Sequence, residues 1–247
     1  MGRVRRGPPE DLIKIVQQEF SLPLFIETGT FYGSTAAWAS EHFDHITTIE
    51  LDDRIYEEVT SEYNDANNIQ FIKGKSQDQL RDIVEEVPSE GAVYWLDAHY
   101  SGEGTAGNDY ECPLIEELQA IGSSDHEAFV FIDDARLFLS PPPQGHSPED
   151  WPEIDEVINV VKTELGADYY IVVVEDVIVA VPPKAKQMVL EYARDVATEQ
   201  ASRSRVSEGF RLIWKGVLGW FVSDTTISIL KKTGLYPVGK KLYNAFD

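Results

Sequence analysis

Short apolar runs alternate with longer amphipathic ones through most of the chain. Residues 24–27, 46–50, 69–72, 92–96 and 128–132 are four or five residues long, mostly β-branched, aromatic or aliphatic, and bounded by polar residues, proline or glycine, which predicts five strands. Helical periodicity fills the gaps over 33–42, 53–63, the segment opened by Ser76, and 113–121. An amphipathic helix precedes the first strand at 9–20, with Pro8 and Pro9 at its start. A helix over 154–165 is followed by strands at 169–174 and 177–181, with only Glu175 and Asp176 between them. So short a link demands an antiparallel hairpin. Residues 184–202 read as helical again. Gln79, three residues beyond Ser76, suggests a capping box. The alternation predicts an α/β, doubly wound, Rossmann-like and mostly parallel seven-stranded sheet, with right-handed crossovers and a C-terminal antiparallel hairpin. A helical C-terminal extension follows it, which divides the chain into 1–183 and 184–247.

In such a sheet, ligands bind beyond the carboxyl ends of the strands. Glu27, Glu50, Ser76, Asp97, Asp133 and Asp134 all fall at or just past those ends. The first strand runs into Leu24 to Ser34, LFIETGTFYGS, which reads as a strand, a glycine turn and a helix N-terminus. Glu50 follows Gly29 by 21 residues and ends the second strand, where an acid can accept both hydroxyls of a ribose. Together these features imply an adenosine-containing cofactor. A nicotinamide dinucleotide is disfavoured, because Phe31 stands where G-x-G-x-x-G has its second glycine.

The arrangement E-x-G-x-x-x-G, with Glu27, Gly29 and Gly33, resembles that of class I S-adenosylmethionine-dependent methyltransferases. IKGKSQDQL is similar to the segment of catechol O-methyltransferase-like enzymes whose Ser-Gln pair contacts the adenine. YWLDAHYSG and FIDDAR resemble the segments that follow strands four and five in catechol and macrocin-type sugar O-methyltransferases. The resemblance covers roughly 24–181. It implies S-adenosyl-L-methionine as cofactor, held by Glu27, Gly29, Thr30, Gly33, Glu50, Ser76, Gln77 and Asp97. It also implies a magnesium ion on Asp97, Asp133 and Asp134. The catechol enzyme's lysine base is replaced here by Tyr100, which argues against a catechol substrate.

Methyl transfer to a hydroxyl needs alignment and a proton acceptor. His99 is the first candidate for the base, since imidazole takes up protons near neutrality, and Asp97 and Tyr100 are alternatives. A cation bound by two neighbouring hydroxyls would serve as template and Lewis acid, which points to a vicinal diol such as a sugar. The expected activity is O-methylation of a sugar hydroxyl on a glycan or glycosylated metabolite. A phenolic or polyketide acceptor, or a non-catalytic cofactor-binding or interaction module of the same fold, are the rivals. Arg136 reads either as a surface arginine or as a holder of an anionic substrate group. The long loop at 99–111, with Gly102, Gly104 and Gly107, reads as a lid.

Composition narrows the partners. The formal charge of −22 over 247 residues argues against nucleic acid. Cys112 is the only cysteine, which fits a reducing compartment and a cytoplasmic location. No apolar run follows Arg3, Arg5 and Arg6, so a signal peptide is not expected. Residues 200–247 carry eight Lys/Arg against three Asp/Glu, and they include FRLIWKGVLGWFV. Basic and aromatic residues interleaved over 203–247 suit peripheral contact with an anionic membrane and a lipid-linked acceptor. They equally suit a helical extension that packs on the domain or on a second subunit.

Overall fold

The computed structural model describes residues 7–99 and 110–202. The chain forms two compact units, Met1–Ala193 and Arg194–Asp247. In the second, the described residues 194–202 are helical. The first unit opens with α1 (Glu10–Phe20), which buries Leu12, Ile13 and Val16.

Four strand–helix units follow: β1 (Leu24–Thr28) and α2 (Ser34–Ser40), β2 (His45–Glu50) and α3 (Asp53–Glu62), β3 (Ile69–Lys73) and α4 (Ser76–Ile83), β4 (Ala92–Leu96) and α5 (Leu114–Gly122). Then come β5 (Ala128–Ile132), α6 (Ala135–Leu139) and α7 (Ile154–Val160), which runs on as a π-helical turn, Val161–Leu165. The hairpin β6 (Tyr170–Val174) and β7 (Val177–Val181) completes the sheet, and residues 186–193 form a last helix.

The seven strands lie in the order β3-β2-β1-β4-β5-β7-β6. β1 to β5 are mutually parallel, while β7 runs antiparallel to both of its neighbours. This is the predicted doubly wound sheet with its reversed last strand. The central strands β4, β5 and β7 are buried at every position, as continuous apolar strings such as AVYWL and AFVFI require when both faces are covered. Phe25, Tyr94, Trp95, Phe129 and Phe131 supply the bulk of the core.

Two local expectations are revised. Ser76 does not cap α4 from outside. Lys75 is the N-cap, without a side-chain cap bond, and Ser76 is the first helical residue with its side chain buried. The segment after Asp133 and Asp134, where the alternation predicts no element before 154, contains the short helix α6. The 99–111 loop expected to act as a lid lies mostly outside the described residues, as do Tyr100 and the basic-aromatic segment 203–247. Among the described residues, no helix is long and apolar enough to cross a membrane.

Candidate active site

The strand ends are stitched together one residue past the sheet. Gly29 and Thr30 both donate to the carbonyl of Ile49, at 3.0 and 3.1 Å, and Gly74 donates to the carbonyl of Glu50 at 2.9 Å. Asp97 donates to the carbonyl of Thr28 at 3.0 Å, and Asp133 to that of Leu96 at 3.1 Å. Gly29, Glu50, Asp97 and Asp133 therefore stand side by side along one edge, in the register that the parallel ladders impose.

At the β1 and β2 ends the chain folds into a tight cradle. Gly29 has a φ of +84°, and a Cβ there would stand 2.3 Å from the carbonyl oxygen of Asp97. Only glycine permits this approach. Phe31 also has a positive φ of 48°, and its N–H donates to Oε2 of Glu50 at 2.8 Å. Oε1 of Glu50 accepts from the N–H of Asp52 at 2.8 Å. The acid expected to meet a ribose thus also pins both turns around it, and burial raises its pKa against those donors. Gly33 makes its close approach elsewhere, to Val59 of α3 and to Tyr63 just past its end.

Glu27 is buried beneath this turn. Its Oε2 accepts from Thr48 Oγ1 at 2.7 Å, and Thr48 Oγ1 lies 2.6 Å from the Thr30 hydroxyl. Burial pushes its pKa up to about 8. Ser76 lies beside a second buried acid, Glu117 of α5, which the sequence reading had missed. Burial pushes Glu117 up to about 7, although the hydroxyls of Ser76 and Thr28 favour its ionised form, and its Oε1 makes no hydrogen bond among the described residues. An acid on the inner face of an otherwise apolar helix, LIEELQAI, was the available signal. Gln77 is half-buried in the first turn of α4.

The β4 and β5 ends hold the other acids around His99. The His99 ring is buried, with Nε2 3.0 Å from Asp134 Oδ2 and Nδ1 3.5 Å from Asp97 Oδ1. Burial disfavours the imidazolium, but the hydrogen bond with Asp134 and the charges of Asp97 and Asp134 outweigh it and raise the pKa. Asp134 is held below the usual carboxylate range: burial is overcome by His99 and Arg136. Asp97 and Asp133 are both raised, first by burial and then by the charges of neighbouring aspartates. Arg136 is neither a free surface cation nor turned to a substrate; its guanidinium bridges Asp134 and Asp176. The indole of Trp151, 5.4 Å from the His99 ring, forms a wall. Its Nε1–H donates to Glu111 at 2.7 Å, and Glu111 also accepts from Ser147 N at 3.0 Å and pairs with His146 Nδ1 at 3.0 Å. The sequence carried no local sign of this latch, whose donors lie 35 or more residues from Glu111.

The donor sets answer two expectations differently. Buried acids at Glu50 and Glu27, beside a glycine turn that admits close approach, suit a ligand with ribose hydroxyls and an ammonium-bearing amino-acid tail, and S-adenosylmethionine has both. For magnesium the residues do not form a ready set. Among the described residues no group of three His, Cys, Asp or Glu is arranged to hold a metal ion. Both oxygens of Asp134 are already engaged, Oδ1 by Arg136 and Oδ2 by His99.

No family model and no curated protein matches the chain. Solved structures do. The O-methyltransferase TomG from Streptomyces achromogenes, involved in tomaymycin synthesis and solved with S-adenosylmethionine, superposes with a TM-score of 0.51 at 15% identity, over 72% of this chain and 81% of that one. An O-methyltransferase from Bacillus cereus, solved with S-adenosylhomocysteine, gives a TM-score of 0.51 at 13% identity, over 72% and 83%. The chain has the fold of the class I S-adenosylmethionine-dependent O-methyltransferases.

Proposed function

We propose that the chain is an S-adenosylmethionine-dependent O-methyltransferase whose acceptor is a sugar hydroxyl of a glycan or glycosylated metabolite. The observation that carries this reading is the placement of His99. It is held between two aspartates, at the strand edge shared with the glycine turn and Glu50.

When bound, S-adenosylmethionine supplies an electrophilic methyl group on a sulfonium. Glu50 and the Gly29 turn would hold the nucleoside, and Glu27, Thr30 and Thr48 would line the place of its amino-acid tail. His99 takes the proton of the attacking hydroxyl as the oxygen–carbon bond forms and the carbon–sulfur bond breaks. Asp134 stabilises the resulting imidazolium and fixes the ring, while Asp97 faces its other nitrogen. Trp151 shields that proton transfer on one side. A magnesium ion would require Asp134 to release Arg136 or His99.

The same Trp151 wall supports a second reading, a small phenolic or polyketide acceptor stacked beside His99. Transfer of a labelled methyl group to a panel of sugar nucleotides, lipid-linked glycans and phenols separates the two. Product only on the phenols favours the second reading. Cofactor binding with no transfer to any of them favours a non-catalytic module. The lipid-linked version of the acceptor rests on the composition of 203–247. Flotation of the full chain with anionic liposomes, against a chain ending near residue 200, tests it; equal absence from the vesicles removes it.

A further inference from the structure

We propose that Asp176, in the turn between β6 and β7, is a positioning residue that acts through Arg136 to hold Asp134 on His99. This rests on the reading of His99 as the proton acceptor. The turn is made by Glu175 and Asp176, at φ of 53° and 89°. Glycine adopts such backbone without strain, and a two-residue hairpin commonly uses it. Here the second position carries a carboxylate instead, and every acceptor that residue owns is spent on the start of α6. Its carbonyl accepts from the N–H of Ala135 at 2.7 Å. Oδ1 accepts from the N–H of Arg136 at 3.0 Å, and Oδ2 pairs with the Arg136 guanidinium.

The guanidinium nitrogen that meets Asp176 is the one that meets Asp134. Nη1 of Arg136 reaches Oδ2 of Asp176 and Oδ1 of Asp134. Asp134 itself sits in left-handed backbone at φ 55° and ψ 41°, with no side-chain cap bond of its own. Its carboxylate is therefore aimed from outside. With Oδ1 on Arg136, Oδ2 faces His99 Nε2 at 3.0 Å. An arginine is a long side chain, and one carboxylate alone leaves it several rotamers. A second carboxylate, fixed to the backbone at the same helix start, removes that freedom. The strained hairpin residue thus lies three contacts from the histidine, through Arg136 and Asp134, and 40 residues of sequence from Arg136.

A turn that only closes the hairpin would make the same contacts matter for stability alone, and the two roles differ at the ring. The test is long-range proton–nitrogen NMR of the full chain labelled with ¹⁵N-histidine, recorded at alkaline pH where the rings are neutral. His99 is one of five histidines, and His99→Gln assigns its signals by their loss. Asp176→Gly suits the positive φ and removes the carboxylate; Arg136→Gln removes the bridge. The expected result is a wild-type ring carrying its proton on Nε2, with the tautomer ratio falling about tenfold in both variants as the fixed acceptor is lost. Signals of His42, His45, His126 and His146 stay in place. Asp176→Asn, which keeps size and turn preference, makes the same comparison if Asp176→Gly does not fold. His99 signals unchanged in the folded variants overturn the proposal. Calorimetry with S-adenosylhomocysteine on the same samples is separate: its failure in the wild type would sink the methyltransferase reading while leaving the ring result standing.

Discussion

His99 Nε2 lies 3.0 Å from Asp134 Oδ2, joining the ends of two parallel strands through one part-buried hydrogen bond. The pair resembles a base and its orienting acid. Replacing His99 by Asn should lower kcat by about 10²- to 10⁴-fold while affinity for S-adenosylhomocysteine stays the same. Burial opposes the imidazolium, yet Asp134 and Asp97 raise the pKa above the usual 6.5, so transfer should increase with pH through a midpoint above that value. Asp134→Asn removes part of the lift and should move the midpoint down. A pH profile of kcat/KM for the three proteins checks both statements.

Glu111 fastens residues 146–151 to the start of α5 and sets the Trp151 wall. Burial alone would raise its pKa, but Trp151, Ser147 and His146 together hold it below the ordinary 4.5. Its folded value is the lower one, so its contribution is present above pH 4.5 and is lost as pH falls through that folded value. Glu111→Ala leaves three donors without their acceptor and should cost about 3–5 kcal/mol, read from urea unfolding at neutral pH. Near-ultraviolet dichroism should lose the Trp151 signal in the same variant.

Glu27 carries the opposite sign. Burial lifts its pKa from 4.5 to about 8, so the free protein is stabilised by the protonated acid below pH 4.5 and loses that contribution as pH rises toward 8. Glu27→Gln should flatten the fall in unfolding midpoint across that window. Above pH 8, where the acid is ionised, it should also weaken S-adenosylhomocysteine about tenfold, by removing an anion that would face the ammonium group. Midpoints that fall as steeply in the variant as in the wild type would refute the assignment.

Gly29 has no room for a methyl group. An added Cβ would lie 2.3 Å from the Asp97 carbonyl oxygen at a φ of +84°. Gly29→Ala should therefore destabilise by more than about 1 kcal/mol and abolish cofactor binding, because the same turn sets Glu50 and Asp97. Thermal unfolding and calorimetry on one sample measure both effects.

The five parallel strands were legible because each is a short apolar string that ends at a polar residue. The hairpin was legible because two residues cannot link strands in any other way. What stayed hidden depends on distant partners. Ser76 looked like a cap in its own helix, yet its hydroxyl serves Glu117, 41 positions on. α6 is too short to show a period, and its first two backbone donors are satisfied by Asp176. Asp133 and Asp134 read as twin acids, but they differ: Asp133 is buried and raised, while Asp134 is lowered by His99 and Arg136. Local sequence shows residue types at strand ends; which acid is ionised depends on what packs around it.

Binding of S-adenosylhomocysteine to the wild type and to Glu50→Gln, followed by calorimetry, tests the central claim. Glu50 accepts from Phe31 and Asp52 at 2.8 Å each, and glutamine would set an amide donor against one of those N–H groups. The account predicts saturable one-to-one binding to the wild type, weakened about tenfold or more in Glu50→Gln. A correctly folded wild type that takes up no S-adenosylhomocysteine would contradict it.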